Sequence, residues 1–368
     1  MPCITSLRAH RSRGDRCQIS AHVPTAKRIS VARVEHDWIP TEICPMPADQ
    51  VPINIAILDD YQNVALKLAD WSSLENRARI TVFNDHISDS GVLVERLKPF
   101  DVVCVMRERT PLTRSIIERL PNLKMIASNG RRNASIDIAA AKERGIIVTA
   151  TGYSSTATVE LTWALIFALV RNLPAEYASV RSGGWQLSVG DDLHGKTLGI
   201  VGLGNIGARV AKVAHALGMS VIAWSQNLTR ERAEENGARL VTKETLFREA
   251  DIVTVHLVLS QRTVGIVGAS ELEMMKPSAY LINASRGPLV AESPLVAALR
   301  AHKIAGAGLD VYDVEPLPLD HPFRALENVI TTPHIGFVSK GTYKTFYGDT
   351  VENILAWMKG EPIRVMEP

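Results

Sequence analysis

The chain has 368 residues, with 46% hydrophobic and 22% charged side chains. At roughly 150 residues per domain this length suits about two to three domains, and the composition buries a real core, which excludes wholesale disorder. Its 41 basic and 39 acidic residues nearly cancel, to a net +2, so no electrostatic footprint points to nucleic acid.

The first 34 residues differ from the rest. They carry Arg8, Arg11, Arg13, Arg16, Lys27, Arg28 and Arg33 against Asp15 alone. No apolar periodicity persists, and prolines follow at 40, 45, 47 and 52. Residues 1–51 therefore read as a disordered extension, or as sequence upstream of a natural start at Met46. An organelle transit peptide shares this Arg-rich, acid-poor composition and ranks below both; the location expected is cytoplasmic. Cys3, Cys17, Cys44 and Cys104 show no CxxC spacing, so neither a disulfide scaffold, a zinc ribbon nor any other metal site is indicated.

Short apolar runs at 53–58 (INIAIL), 101–106 (DVVCVM), 123–127 and 146–148 read as buried strands. Helical patterns at 92–97 and 114–120 lie between them. Residues 159–170 are the most apolar stretch, but they are too few for the ~20 that a spanning helix needs, so no membrane partner is expected. The alternation then restarts, with strands at 197–201, 220–224, 252–256, 280–283 and 329–332 and helices at 206–217 and 294–302. Alternating strands and helices give the α/β class: two doubly wound units with parallel sheets, the second the larger.

Strand 197–201 runs straight into Gly202-Leu203-Gly204-Asn205-Ile206-Gly207 and then a helix. A lone GxGxxG is weak; strand before and helix after are the context that a dinucleotide fingerprint requires. Gly202 serves the tight turn, Gly204 lets backbone approach a pyrophosphate, and Gly207 lets helix and strand pack closely. The helix N-terminus then offers N–H groups to phosphate. The ribose-binding acid usually found about 20 residues on is missing. Ser225 stands in its place, and no Asp or Glu occurs between Leu193 and Arg230. Nothing there repels a 2′-phosphate and no arginine directly follows the strand, so the cofactor is NAD or NADP.

Three further motifs each lie just beyond a strand: Asn283-Ala284-Ser285-Arg286-Gly287, then 308–316 (GLDVYDVEP), then Thr332-Pro333-His334-Ile335-Gly336. In open α/β sheets ligands bind at that edge. An Arg, a Glu and a His are what reduction of a 2-keto acid requires. Arg286 forks onto the carboxylate. His334 gives a proton to the carbonyl oxygen, and Glu315 holds the imidazole and favours its charged form. Singly, each has a bland reading as surface charge, turn residue or capping histidine; all three after their own strands do not.

With GLGNIG, NASRGPLV, GAGLDVYDVEP and TPHIG in place, residues 53–366 resemble the D-isomer-specific 2-hydroxyacid dehydrogenase family, which includes phosphoglycerate dehydrogenases and glyoxylate/hydroxypyruvate reductases. The resemblance implies two Rossmann-like domains with the substrate domain discontinuous: 52–155 with 335–368 as substrate domain, and 156–334 as dinucleotide-binding domain. It implies Arg286, Glu315 and His334 as catalytic trio, and Asn205 and Ile206 at the pyrophosphate. Ser225 falls by the adenosine ribose; Ala284, Ser285, Arg286, Asp310, His334 and Gly336 fall around the nicotinamide. A loop at Ser128-Asn129-Gly130 would offer backbone N–H groups to the substrate carboxylate, although Arg131 replaces its usual second glycine. Homodimers are the family habit, and the Trp185 arm would suit such an interface. Arg107, Arg109, Arg131 and Arg132 read first as surface charges and second as receivers of another anionic group. The competing function is a dinucleotide-sensing corepressor, which would bind NAD(H) without turning over keto acids. A formate dehydrogenase is disfavoured because Glu315 stands where that relative carries Gln.

Overall fold

The structure is a computed structural model that describes residues 52–368; the expected extension lies outside the described residues. Five strands form the first sheet: β1 (Ile53–Ile57), β2 (Ala78–Val82), β3 (Val102–Val105), β4 (Met125–Ser128) and β5 (Ile147–Thr149). Seven form the second: β6 (Thr197–Val201), β7 (Ser220–Trp224), β8 (Arg239–Leu240), β9 (Ile252–Val255), β10 (Tyr280–Asn283), β11 (Gly306–Leu309) and β12 (Val329–Thr331). The orders are β2-β1-β3-β4-β5 and β12-β11-β10-β9-β6-β7-β8. Every pairing in both sheets is parallel.

Side-chain alternation explains why both sheets are wound on two faces. In the first, Ala56, Val103, Val105 and Ile126 join one apolar cluster. Their neighbours Ile55, Ile57, Val102, Cys104, Met125 and Ala127 join another. That second cluster also takes Phe337, Tyr343, Phe346, Tyr347, Val351 and Ile354. Most of these lie on the long helix Lys340–Met358, so the end of the chain packs on the sheet that its beginning forms. In the second sheet Val201, Val253, Val255 and Leu281 face one way, and Leu198, Ile200, Ile252 and Ile282 the other. The helix Thr156–Val170 buries Val159, Trp163, Leu165 and Ile166 in the latter cluster. Strands with both faces buried read as continuous apolar runs, which is how they showed in the sequence.

Three strands escaped that reading. β2 is an edge strand carrying Arg79 in its middle, and β8 is a two-residue edge. β11 reads Gly-Ala-Gly-Leu, with no β-branched residue to mark it. Both of its glycines meet close neighbours: a Cβ on Gly306 would stand 2.5 Å from the Asn328 carbonyl oxygen, and one on Gly308 3.1 Å from Leu165 Cβ. Close approach of neighbouring backbone at Gly306 and of the crossing helix at Gly308 accounts for glycine at these positions.

Both sheets reverse winding direction once, at β1/β3 and at β6/β9. A crevice opens beyond the carboxyl ends of such strands.

Candidate active site

The loop after β6 is built for close approach. Gly202 has φ +102°, and a Cβ there would stand 2.7 Å from the His256 carbonyl oxygen, beyond β9. A Cβ on Gly207 would run into the Gly202 carbonyl. Gly204, by contrast, is exposed with nothing within 4 Å of where its Cβ would be. The helix Asn205–Ala216 therefore presents an open N-terminus over a glycine turn, a cradle that fits a pyrophosphate. Arg209, one turn into that helix, donates to Ser155 Oγ at 2.8 Å and Thr156 Oγ1 at 3.0 Å. Asn205 Nδ2 donates to the same Ser155 Oγ at 3.3 Å. Ser225 follows β7 and lines a concave surface with Trp224, Thr242 and Lys243.

The loop after β10 is pinned by its own side chains. Asn283 Nδ2 donates to Arg286 O at 2.9 Å, and Asn283 Oδ1 accepts from Ser285 N at 3.1 Å. Ser285 Oγ donates to Val255 O at 2.7 Å. Asp310, beyond β11, spends its carboxylate on the next strand's loop. It accepts from Thr332 Oγ1 at 2.6 Å, Ile335 N at 2.8 Å and Gly336 N at 2.7 Å. Burial pushes the Asp310 carboxyl above its ordinary range against these donors. The bonds hold His334 between Thr332 and Ile335 at φ +50°, a left-handed conformation uncommon for residues other than glycine. Asp310 thus sits one step behind the site, fixing the loop of His334 and Gly336.

His334 Nδ1 lies 2.6 Å from Glu315 Oε2, and Glu315 Oε1 accepts from Tyr312 N at 3.0 Å. The carboxylate is anchored at one oxygen and holds the ring at the other, which leaves Nε2 to the cleft. That cleft has a volume of about 510 Å³, and its lining includes Tyr61, His86, Glu108, Arg109, Glu315 and His334. Arg286 stands behind this lining and touches it through Glu108, with Nη2 donating to Glu108 Oε1 at 2.8 Å and Nη1 to Ser285 O at 2.7 Å. Of the three residues expected to carry chemistry, Glu315 and His334 line the cleft and Arg286 contacts it through Glu108, each from the loop after a different strand.

The first sheet contributes differently from expectation. Asn129 N donates to Val105 O at 3.2 Å, and Gly130 N to Thr151 Oγ1 at 2.7 Å. Both N–H groups anticipated for a substrate carboxylate are committed inside the fold. Asn129 is buried, its Oδ1 accepting from Thr350 Oγ1 at 3.2 Å. Arg107, not open space, lies over Gly130. The surface reading of four arginines divides accordingly: Arg131 and Arg132 are exposed, whereas Arg107 and Arg109 are partly buried beneath the Phe337 ring. Glu108, Tyr61, Gln62 and His86 escaped the sequence reading. Glu108 follows β3 as directly as Arg286 follows β10; applied to the first sheet, the same edge rule would have found it.

Comparisons with known proteins identify the family. Residues 163–336 match the model of the D-isomer specific 2-hydroxyacid dehydrogenase NAD binding domain, so NAD or NADP is the cofactor class that the second sheet takes. A glyoxylate reductase of Thermococcus litoralis is 39% identical over 281 residues, covering 74% of this chain and 84% of that protein. A D-3-phosphoglycerate dehydrogenase of Archaeoglobus fulgidus is 38% identical over 275 residues, covering 74% of this chain; the chain spans about half of that relative's length, 52%. The crystal structure of a phosphoglycerate oxidoreductase from Vibrio cholerae O395 superposes with a TM-score of 0.80 at 38% identity, over 84% of this chain and 99% of that one. On these grounds the chain belongs to the D-isomer specific 2-hydroxyacid dehydrogenase family, oxidoreductases that act on a CH–OH group.

Proposed function

We propose that the protein interconverts a 2-keto acid and a D-2-hydroxy acid with NAD(P). The observation that carries this reading is the 2.6 Å Glu315–His334 pair facing the cleft that Arg286 borders. Arg286 takes the substrate carboxylate, and a planar fork fixes the carbonyl's orientation as well as its place. His334 Nε2 hands its proton to the carbonyl oxygen in reduction and takes it back in oxidation. Glu315 orients the ring and balances the imidazolium charge. When bound, the dinucleotide supplies or accepts the hydride; Gly202, Gly204, Asn205, Ile206 and Gly207 would hold its pyrophosphate, and Ser225 its ribose. Residues 52–155 and 335–368 act as the substrate domain and 156–334 as the dinucleotide domain, with the cleft between them. The test is a panel of 2-keto acids run with NADH and with NADPH, on the native protein and on His334→Gln. Turnover that His334→Gln loses, with dinucleotide affinity kept, is the expected result. Dinucleotide binding without turnover of any keto acid sinks the reading and favours the corepressor alternative.

A homodimer of this chain, located in the cytoplasm, completes the proposal. Tyr177, Val180, Trp185, Leu187 and Val189 are exposed on one arm, at 66%, 56%, 73%, 62% and 101%. Apolar exposure of that extent in one segment suits an interface with a second copy. Leu187→Asp is expected to shift the mass by light scattering from dimer to monomer; an unchanged mass removes the arm from the interface. The free, buried thiol of Cys104 suits a reducing compartment.

A further inference from the structure

Glu108 lies outside the trio but touches it. A guanidinium has five N–H donors. In Arg286 one is held by Ser285 O and one by Glu108 Oε1, so three remain for a substrate. Glu108 follows β3 and Arg286 follows β10, so this ion pair ties the loops of the two sheets together at the cleft. The other carboxylate oxygen, Oε2, lies 3.6 Å from Arg107 Nε. Neither of these two buried atoms has a hydrogen-bond partner. Arg107 is itself fixed: its guanidinium rests on Gly130 and lies 5.4 Å and 5.8 Å from the Tyr153 and Phe337 ring centres. Burial works to raise the Glu108 carboxyl, but Arg107 and Arg286 outweigh it and hold it below the usual carboxylate range. It is a charged group between two charged groups.

We propose that Glu108 is the positioning residue of carboxylate binding: bridging Arg107 and Arg286, it aims the Arg286 fork into the cleft and leaves the cluster one net positive charge for one carboxylate. The inference deepens the 2-keto acid reading and rests on it. Without Glu108, two guanidiniums face each other with no counter-charge, and Arg286, whose side chain is 33% exposed, swings toward solvent. The substrate then meets a cation of uncertain direction, not an aimed fork. Glu108 does not plug the fork, because only one of its oxygens is within hydrogen-bond distance of Arg286. The internally committed N–H groups of Asn129 and Gly130 make this matter more, since the expected second anchor is spent.

The test uses the native protein, Glu108→Ala and the near-isosteric Glu108→Gln. KM and kcat are measured for glyoxylate and hydroxypyruvate at saturating dinucleotide. Separately, oxalate is titrated into the NADH-loaded protein and read by nicotinamide fluorescence, and NADH affinity is measured alone. Loss of one charge-assisted contact predicts that Glu108→Ala weakens oxalate binding and raises KM by about tenfold or more. Glu108→Gln should fall between Ala and the native protein, with NADH affinity unchanged in both. A merely structural residue would lower the melting temperature and leave these ratios alone. Oxalate binding that is unchanged, tighter in Glu108→Ala, or absent from the native protein overturns the proposal; tighter binding would make Glu108 a competitor that substrate must displace. If the native protein turns over no keto acid yet oxalate binding follows the expected order, the reaction reading fails and the positioning role stands.

Discussion

Arg286 shows how much a single side chain is asked to do. It must be cationic, planar and aimed, and its two held donors leave a fork in place before substrate arrives. Arg286→Lys keeps the charge and loses the plane. kcat/KM should fall by about 10²-fold or more, because orientation and carbonyl polarisation suffer together; near-native kinetics in a folded variant would remove Arg286 from the site. Glu315 is tested by Glu315→Gln, which keeps the shape and exchanges a charged acceptor for a neutral amide at 2.6 Å from His334 Nδ1. With the imidazolium no longer balanced and its tautomer no longer dictated, kcat should drop by about 10²-fold or more while NADH affinity holds. Arg286 and His334 were legible in the sequence because each closely follows a recognised strand, and Glu315 because its motif pairs with theirs in a chemistry that explains all three. Asp310 was legible only as a site residue. That its three accepted hydrogen bonds impose the left-handed turn at His334 needed coordinates.

At the scale of elements, the glycine loop and its helix were readable from spacing alone, since strand, turn and helix are contiguous. Elements meeting across the fold were not. The Asn129–Gly130 loop looked free to bind an anion because nothing in its own segment says that Thr151 and Val105 take its donors. Arg107 looked like surface charge because Glu108 and Gly130, its partners, act through geometry instead of periodicity. Strand β11 was lost for a related reason: its glycines answer to the Asn328 backbone and to Leu165 of the crossing helix. The end of β7 is the element whose chemistry stays open. Ser225 stands where a carboxylate would exclude NADP, and the surface beside it includes Lys243. Ser225→Asp should restore that exclusion, through repulsion of the 2′-phosphate, and shift the ratio of kcat/KM for NADH over NADPH toward NADH by about tenfold or more. An unchanged ratio would show that Ser225 does not face the ribose.

For the whole molecule, acid stability is set in part where the dinucleotide loop is braced. His256 follows β9 and is partly buried, its Nε2 2.9 Å from Thr254 Oγ1 and its Nδ1 atom shielded from solvent without a partner. Its carbonyl forms the wall that admits only glycine at Gly202. Burial pushes the imidazole from its ordinary 6.5 down to about 4. The unfolded chain therefore binds a proton below pH 6.5 that the folded protein refuses until about pH 4. Stability tied to this group is fully present above pH 6.5, falls as pH drops through the window to about 4, and changes no further below it. Each unit is worth about 1.4 kcal/mol, so the loss across the window is on the order of 3 kcal/mol. From the acid end of that window downward, the carboxylates held under their ordinary range by positive partners, Glu108 and Asp251 among them, add a separate loss of their own. His256→Gln keeps a partner for Thr254 and removes the titration. Unfolding free energy measured by denaturant at pH 7, 5.5 and 4.5 should decline steeply for the native protein and much less for the variant, with the two curves converging toward acid. Parallel curves would mean that His256 takes up its proton in the folded state at an ordinary pH, and that the brace behind the dinucleotide loop opens to water.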